Sequence, residues 1–144
     1  MANRLCLELH QVDIKGAYLN GKLNNNKVLY MQHPPGYKPH DTGNHMLRLK
    51  KTIYGLKQSG CCWYQKLSFI FDSLGFLKCS VNQAIFYKLD KLKNEVTVVV
   101  VHVYDCTITA STPCLIKDFK ARLREHVEVT DLGKLHWMLG IEIK

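Results

Sequence analysis

No run of about 18 apolar residues occurs in the sequence, so it predicts no membrane-spanning helix. The amino-terminal residues lack the apolar stretch of a secretory signal, and the six cysteines contain no C-x-x-C pair. Internal repeats and low-complexity segments are absent too. These absences predict an intracellular protein, in a cytoplasmic particle or the nucleus and not secreted, whose thiols are reduced and mostly structural.

Acidic residues are few relative to basic ones. There are 12 Asp and Glu against 20 Lys and Arg, which gives a net charge of +8. This excess suits a polyanionic partner, although a solvated basic surface explains it equally well. A hydrophobic fraction of 47% and a length of 144 residues are typical of one globular domain that buries a core without disulfides or a structural metal.

A β-branched run at 96–103 predicts a strand, and 107–110 predicts its partner in a hairpin whose tip holds Tyr104 and Asp105. Residues 5–14 predict a central strand that ends near Asp13. Shorter strands are predicted at 28–31, 46–49 and 84–89, with turns at 24–26, a loop at 40–44 and a last strand or hairpin at 136–143.

Two helices are predicted from apolar spacing. Large apolar side chains recur at helical intervals between residues 63 and 74, and Gly75 is well placed to end that helix. Thr112 and Pro113 are typical of a second helix start, followed by a buried stripe of Leu115, Ile116, Phe119 and Leu123. The order of elements predicts an α+β fold with an antiparallel sheet and two helices on one face.

Asp13 and Asp105 both fall at predicted strand ends. Phosphoryl transfer by two divalent metals needs carboxylates that bridge the ions, and Mg²⁺ prefers oxygen ligands. The two acids meet this need only if their strands are neighbours. Taken singly, each acid is more typical of a turn or a surface than of a metal site.

Five segments resemble, in order, the reverse transcriptase of copia-type LTR retrotransposons. They are QVDIKGAYLNG at 11–21, YMQHPPG at 30–36, LKKTIYGLKQ at 49–58, WY at 63–64 and DLGKLHWMLGIEI at 131–143. The resemblance covers nearly the whole chain. It implies that residues 1–144 are a polymerase palm with a ferredoxin-like split βαβ fold, without the fingers, thumb and RNase H.

The resemblance also implies the activity, an RNA-directed DNA polymerase that uses Mg²⁺ or Mn²⁺. Its partners would be deoxynucleotides and a primed RNA or DNA template. Asp13 and Asp105 would bind the metals, and Tyr18 would pack under the incoming sugar and exclude a 2′-hydroxyl. A core aromatic is the alternative for Tyr18.

Two further groups of residues carry implied roles. Lys57 and Gln58 would contact the nucleotide, although Lys57 could equally be a solvated lysine. Trp137, Met138 and Gly140 would form the primer grip, with a plain core role as the alternative for Trp137 and Met138.

The chain departs from the family at one position of its hairpin. The family has aromatic-x-Asp-Asp where this chain has His102-Val103-Tyr104-Asp105, so Tyr104 replaces a metal-binding aspartate. A tyrosine is neutral at pH 7 and bulkier than aspartate. Cys61 stands where the family usually has an arginine. These departures predict a catalytically dead polymerase; the alternative is a non-catalytic nucleic-acid-binding module on the same fold.

Overall fold

The computed structural model describes residues 7–23, 28–37, 45–138 and 140–143. Contacts divide the chain into a first unit, Met1–Ala17 with Leu67–Lys144, and a second unit, Tyr18–Lys66. The predicted turn at 24–26, the loop at 40–44 and the start of the strand predicted at 5–14 lie outside the described residues. In the described part of the chain, no helix is long and apolar enough to cross a membrane.

The strands and helices follow one another with short connections. In chain order they are β1 (Leu9–Ile14), β2 (Tyr30–Met31), β3 (Leu47–Arg48), α1 (Ser59–Ser73), β4 (Leu77–Lys78), β5 (Ile85–Asp90), β6 (Glu95–His102), β7 (Asp105–Ala110), α2 (Pro113–Arg124), β8 (Val129–Lys134), β9 (Trp137–Met138) and β10 (Ile141–Glu142). A 3₁₀ turn covers Ala17–Asn20.

The first unit is built on a six-stranded sheet in the order β4-β5-β6-β7-β1-β8. Every pairing in it is antiparallel. The long hairpin β6–β7 confirms the prediction from the β-branched run, because branched side chains fit a pleated, half-buried surface. β1 lies between β7 and β8, which confirms the central strand predicted to end near Asp13.

Both helices cover the same face of this sheet. The ring of Phe71 in α1 lies 4.6 Å from that of Phe86 in β5, and Lys120 Nζ in α2 lies 3.1 Å from His10 Nδ1 in β1. Directly opposed residues of antiparallel strands share a face. One such row runs Phe86, Val99, Ile108, His10. The predicted α+β class is therefore confirmed.

An aromatic cluster joins the helices to the sheet. Phe71 also contacts Phe76 and Phe119, with ring centroids 5.9 and 5.8 Å apart. Fully burying a phenylalanine side chain contributes about 1.5–3 kcal/mol. Around the cluster lie other buried apolar side chains, among them Val12, Ile14, Leu67, Ile70, Val99, Ile108, Ile116 and Leu123.

The sequence analysis missed two edge strands, β4 and β8. The segment of β8 contains Asp131 and Gly133, which are typical of turns. It pairs with β1 nevertheless, with a register shift between Gln11 and Val12 that leaves Leu132 as an extra residue. Gly133 has φ +75°, a conformation that glycine adopts without strain. The bulge lets a turn-like sequence form an edge strand.

The second unit contains the two-stranded sheet β2–β3 and the start of α1. These strands are shorter than predicted, with two residues each. The Thr52 backbone N–H donates to Gly21 O at 3.1 Å. The buried Thr52 hydroxyl donates to Tyr18 O, so Thr52 is held to the segment 18–21 at two points.

Replacing Gly21 with alanine should lower the free energy of unfolding by about 1–3 kcal/mol, because the site has no room for a methyl group. A Cβ at Gly21 would lie 2.4 Å from Thr52 Oγ1 and 3.2 Å from Cys62 Cβ. Urea denaturation measures the loss.

Gly60→Ala is the control, since its Cβ would meet nothing nearer than Tyr18 Cε1 at 4.0 Å. In helix α1 that change should be neutral or stabilising by up to about 1 kcal/mol. Equal effects of the two changes would contradict the packing argument.

Candidate active site

The tip of the β6–β7 hairpin is a two-residue turn, Val103–Tyr104. Within this turn only Val103 has a positive φ, at +57°. Two-residue hairpins with a positive φ at the first position normally use glycine there. A β-branched residue in this conformation costs about 1–3 kcal/mol, so the surrounding sheet must hold the turn in place.

Asp105, the first residue after the turn, lies directly opposite Asp13 in the β1–β7 ladder. The Cβ atoms of directly opposed residues lie about 4.5–5.5 Å apart. The strand neighbours Val12 and Ile14 are buried on the helix side. Asp13, which alternates with them, therefore lies on the face away from the helices, and Asp105 lies there with it. Both carboxylates are half-buried.

Gln11 orients one of the two acids. Its side-chain Nε2 donates a hydrogen bond to Asp105 Oδ1 at 3.1 Å. Gln11 lies two residues before Asp13 and so shares its face. The amide fixes one carboxylate oxygen of Asp105 and leaves the other oxygen available to a ligand. Sequence reasoning missed Gln11, although period-two alternation from Asp13 could have pointed to it.

The two acids belong to a cross-strand row in which His102 lies opposite Asp105 and Thr130 lies opposite Asp13. Tyr104 stands outside this row, in the turn. Its carbonyl oxygen accepts a hydrogen bond from Ile14 N at 2.9 Å, which extends the β1 ladder past Asp13. The Tyr104 side chain is 44% exposed. The position directly before Asp105 thus holds a half-exposed phenol next to the carboxylate pair.

The carboxylate pair has the chemistry of a site for one hard divalent cation, because adjacent carboxylates supply the oxygen ligands that Mg²⁺ and Mn²⁺ prefer. Among the described residues, no group of three or more His, Cys, Asp or Glu side chains could hold a metal.

The charges of the two acids act on their neighbours. Burial, and then the charges of Asp105 and Asp13, raise the pKa of the Cys106 thiol to about 12. The pKa of Lys15 is raised by its hydrogen bond and ion pair with Glu128, at 2.7 Å, with a smaller contribution from Asp13. Both shifts have the direction that nearby negative charge produces.

The predicted primer-grip residues form the β9–β10 hairpin. Trp137 is 61% exposed and therefore is not a core residue. Met138 is half-buried, and the Thr107 hydroxyl donates to its Sδ at 3.5 Å. Gly140 has φ +81° in the turn. Thr107 lies on the same sheet face as Asp105, since the two alternate with buried Cys106, so the hairpin and the acids share that face.

The remaining predicted site residues belong to the second unit. Tyr18 meets Tyr54 edge to face, with ring centroids 5.1 Å apart, and is half-buried rather than a core residue. Lys57 is exposed, and Gln58 is half-buried at the start of α1. Gly55, with φ +85°, makes the turn that precedes them.

Comparison with known proteins identifies the family. Residues 2–144 match the family model described as reverse transcriptase (RNA-dependent DNA polymerase). The chain belongs to this reverse transcriptase family. A search of the solved structures finds no match.

The curated relatives are proteins of copia-type retrotransposons, as the sequence predicted. The Pol polyprotein from transposon RE1 of Arabidopsis thaliana is 34% identical over 94% of this chain and 9% of its own length. That from transposon TNT 1-94 of Nicotiana tabacum is 30% identical over 99% of this chain and 10% of its own length. The chain therefore spans about a tenth of these relatives.

Proposed function

We propose that this chain is the palm of an RNA-directed DNA polymerase whose nucleotidyl-transfer site keeps two of its three acids and no longer catalyses the reaction. The observation that carries the proposal is that Asp13 and Asp105 lie directly opposite each other, on the sheet face away from the helices. The strand order β6-β7-β1-β8, with α1 and α2 on the other face, supports a ferredoxin-like palm.

Asp13 and Asp105 would hold the divalent cation, with Gln11 keeping one oxygen of Asp105 in place. A cation bound there supplies positive charge for the phosphoryl group and acidifies the attacking hydroxyl. Tyr104 supplies neither a charge nor a carboxylate ligand. Losing one essential electrostatic contact costs about 10²–10³ in rate, and losing a metal ligand costs more.

The other predicted residues would position the substrates in this proposal. Tyr18 would pack under a deoxyribose, and Lys57 and Gln58 would contact the nucleotide. Trp137 is exposed enough to contact a primer strand, with Met138 and Gly140 shaping its hairpin. The partners would be a primed RNA or DNA template and deoxynucleotides.

A non-catalytic nucleic-acid-binding module is the second candidate. It is favoured by the uneven charge of the chain, because residues 18–66 hold eight Lys and Arg and a single acid, Asp41. Retention of primer–template binding after loss of Asp13 would favour this alternative over a polymerase site.

Mn²⁺ titration tests the proposed cation site. The unmodified chain should bind one Mn²⁺ weakly, and Asp13→Asn should weaken binding about tenfold or more, because one of two adjacent carboxylate charges is lost. Paramagnetic relaxation or electron paramagnetic resonance measures free Mn²⁺. Asp118→Asn, an exposed acid on α2, is the matched control. Equal affinities for all three proteins would rule out a cation site at the carboxylate pair.

A further inference from the structure

The second unit contains a cluster of three lysine side chains, which we name the lysine cluster: Lys22, Lys51 and Lys66. Lys22 and Lys51 are directly opposed in an isolated antiparallel bridge, so their side chains leave the backbone on the same side. Lys66 lies one helical turn after Cys62, the residue that packs against Gly21. Its Nζ lies 3.5 Å from Asn20 Oδ1.

Like charges directly opposed across strands are destabilising, and Lys22 and Lys51 are such a pair. The described residues of the second unit contain no Asp or Glu that could compensate them. Burial, and then the charges of Lys51 and Lys22, lower the pKa of Lys66. Among the described residues, the cluster is therefore a concentration of positive charge, and the opposition of Lys22 and Lys51 lowers stability.

The scaffold beneath the cluster is tightly packed. The Gly21 backbone touches Thr52 and α1 so closely that no Cβ would fit. Thr52 is fully buried and bonded to Tyr18 O. The three lysine attachment points are thus fixed relative to one another, unlike those of lysines scattered on loops. A rigid, preorganised group of side chains that lowers the stability of the protein is typical of a binding site.

We propose that the lysine cluster is a binding site for a phosphate group, either of a free polyphosphate or of a nucleic-acid strand. A phosphate carries several acceptor oxygens, and lysine ammonium groups bind it as point charges. Bound phosphate would relieve the repulsion among Lys22, Lys51 and Lys66. The site uses no residue of the carboxylate pair, so it can be tested separately from the polymerase proposal.

The test compares two triple variants of the full chain with equal net charge. Lys22→Gln/Lys51→Gln/Lys66→Gln removes the cluster, and Lys91→Gln/Lys93→Gln/Lys117→Gln removes three exposed lysines of the first unit. Fluorescence anisotropy with a labelled oligothymidylate, and calorimetry with inorganic pyrophosphate, measure binding at low salt without divalent ions. The cluster variant should bind about tenfold more weakly than the control variant, with a shallower salt dependence.

The two probes separate the two phosphate sources. Cluster-dependent binding of pyrophosphate indicates a site for single phosphate groups, and cluster-dependent binding of the oligonucleotide alone indicates a strand backbone. Either result supports the proposal. Equal weakening in both triple variants would mean that only net charge matters, and unchanged binding of both probes would mean a solvated basic face. Either of these results overturns the proposal.

A second readout does not depend on affinity. Because repulsion is relieved, the cluster variant should be more stable than the unmodified chain. Pyrophosphate should raise the melting temperatures of the unmodified chain and the control variant but not that of the cluster variant. If the triple variant fails to fold, Lys51→Gln is compared with Lys91→Gln, both of them exposed lysines. A thermal shift with pyrophosphate that survives Lys51→Gln unchanged also overturns the proposal.

Discussion

Replacing Asp131 with asparagine should lower the free energy of unfolding by about 1–3 kcal/mol. Asp131 Oδ1 lies 2.5 Å from the Nζ of Lys120, which is only 4% exposed and attached to α2. Removing one partner of a fully buried pair leaves a charge in a low-dielectric site, which costs about 3–5 kcal/mol. We expect a smaller loss here, because the Asp131 side chain is 35% exposed and solvent screens the pair. An asparagine oxygen can also still accept from Lys120.

Other contacts of the same carboxylate contribute less. The Arg124 guanidinium lies 3.5 Å from Asp131 Oδ2, but its side chain is half-exposed, and exposed ion pairs contribute about 0–1 kcal/mol. Gly133 N donates to Oδ1 at 2.9 Å within the bulge of β8. The burial of Lys120 therefore decides the size of the effect.

Urea denaturation measures the change, with Asp118→Asn as the control. Asp118 and Arg122 form an exposed pair at 3.9 Å on α2, so that change should stay within about 0.5 kcal/mol. Adding Lys120→Met to Asp131→Asn should recover most of the loss, since an apolar side chain suits the site better than an unpaired ammonium. A loss below 1 kcal/mol for Asp131→Asn, or no recovery in the double variant, would contradict this account.

The same pair predicts a pH dependence. Burial raises the pKa of Asp131, but hydrogen bonds from Lys120 and the Gly133 N–H, with the charges of Lys120 and Arg124, outweigh it and leave the pKa lowered. A folded-state pKa below the unfolded one gives stability that is present above the unfolded value and lost as the pH falls through the folded value. The stability difference between the unmodified chain and Asp131→Asn should therefore shrink from about pH 7 to about pH 3.

Replacing Tyr104 with aspartate should raise the affinity for Mn²⁺ by about tenfold or more and complete the donor set for a second ion. The new carboxylate would follow Val103 in the turn and precede Asp105, beside the existing pair. Without metal, the third negative charge should destabilise the hairpin. Mn²⁺ should then raise the melting temperature of Tyr104→Asp more than that of the unmodified chain.

Tyr104→Asn is the matched control, because it removes the ring without adding a charge. It should leave Mn²⁺ affinity close to that of the unmodified chain, and Asp13→Asn should abolish the gain of Tyr104→Asp. Primer extension with Mg²⁺ or Mn²⁺ gives the functional readout. Synthesis by the unmodified chain would refute the proposal that Tyr104 ended catalysis, and an equal gain in Tyr104→Asn would assign the effect to the ring.

The elements that the sequence predicted well are those whose residues all favour the same type of secondary structure. The β-branched run of β6 favours a strand, and the apolar spacing of α1 favours a helix. Helix α1 ends before Gly75, which has φ +82°. Asp13 lies near the end of β1 and Asp105 begins β7, so the antiparallel pairing of the two strands brings the acids together. Their roles in metal binding stay a prediction, as does the intracellular location.

The features that sequence reasoning missed depend on long-range contacts. β8 consists of turn-forming and polar residues, and only its pairing with β1 makes it a strand. Lys120 follows Phe119 of the predicted apolar stripe, and nothing local shows that its ammonium group is buried against Asp131. The lysine cluster joins residues up to 44 positions apart in the chain, Lys22 and Lys66, through a bridge that no pattern predicts.

Cys106 lies at the centre of this sheet, fully buried, with a pKa near 12. Only the thiolate reacts with alkylating reagents, so in the native state this sulfur is inert. Exposed Cys61 and Cys114 are accessible from the start. Alkylation of Cys106 should therefore be slower than that of Cys61 and Cys114, and its rate should report how often β7 separates from β1 and β6.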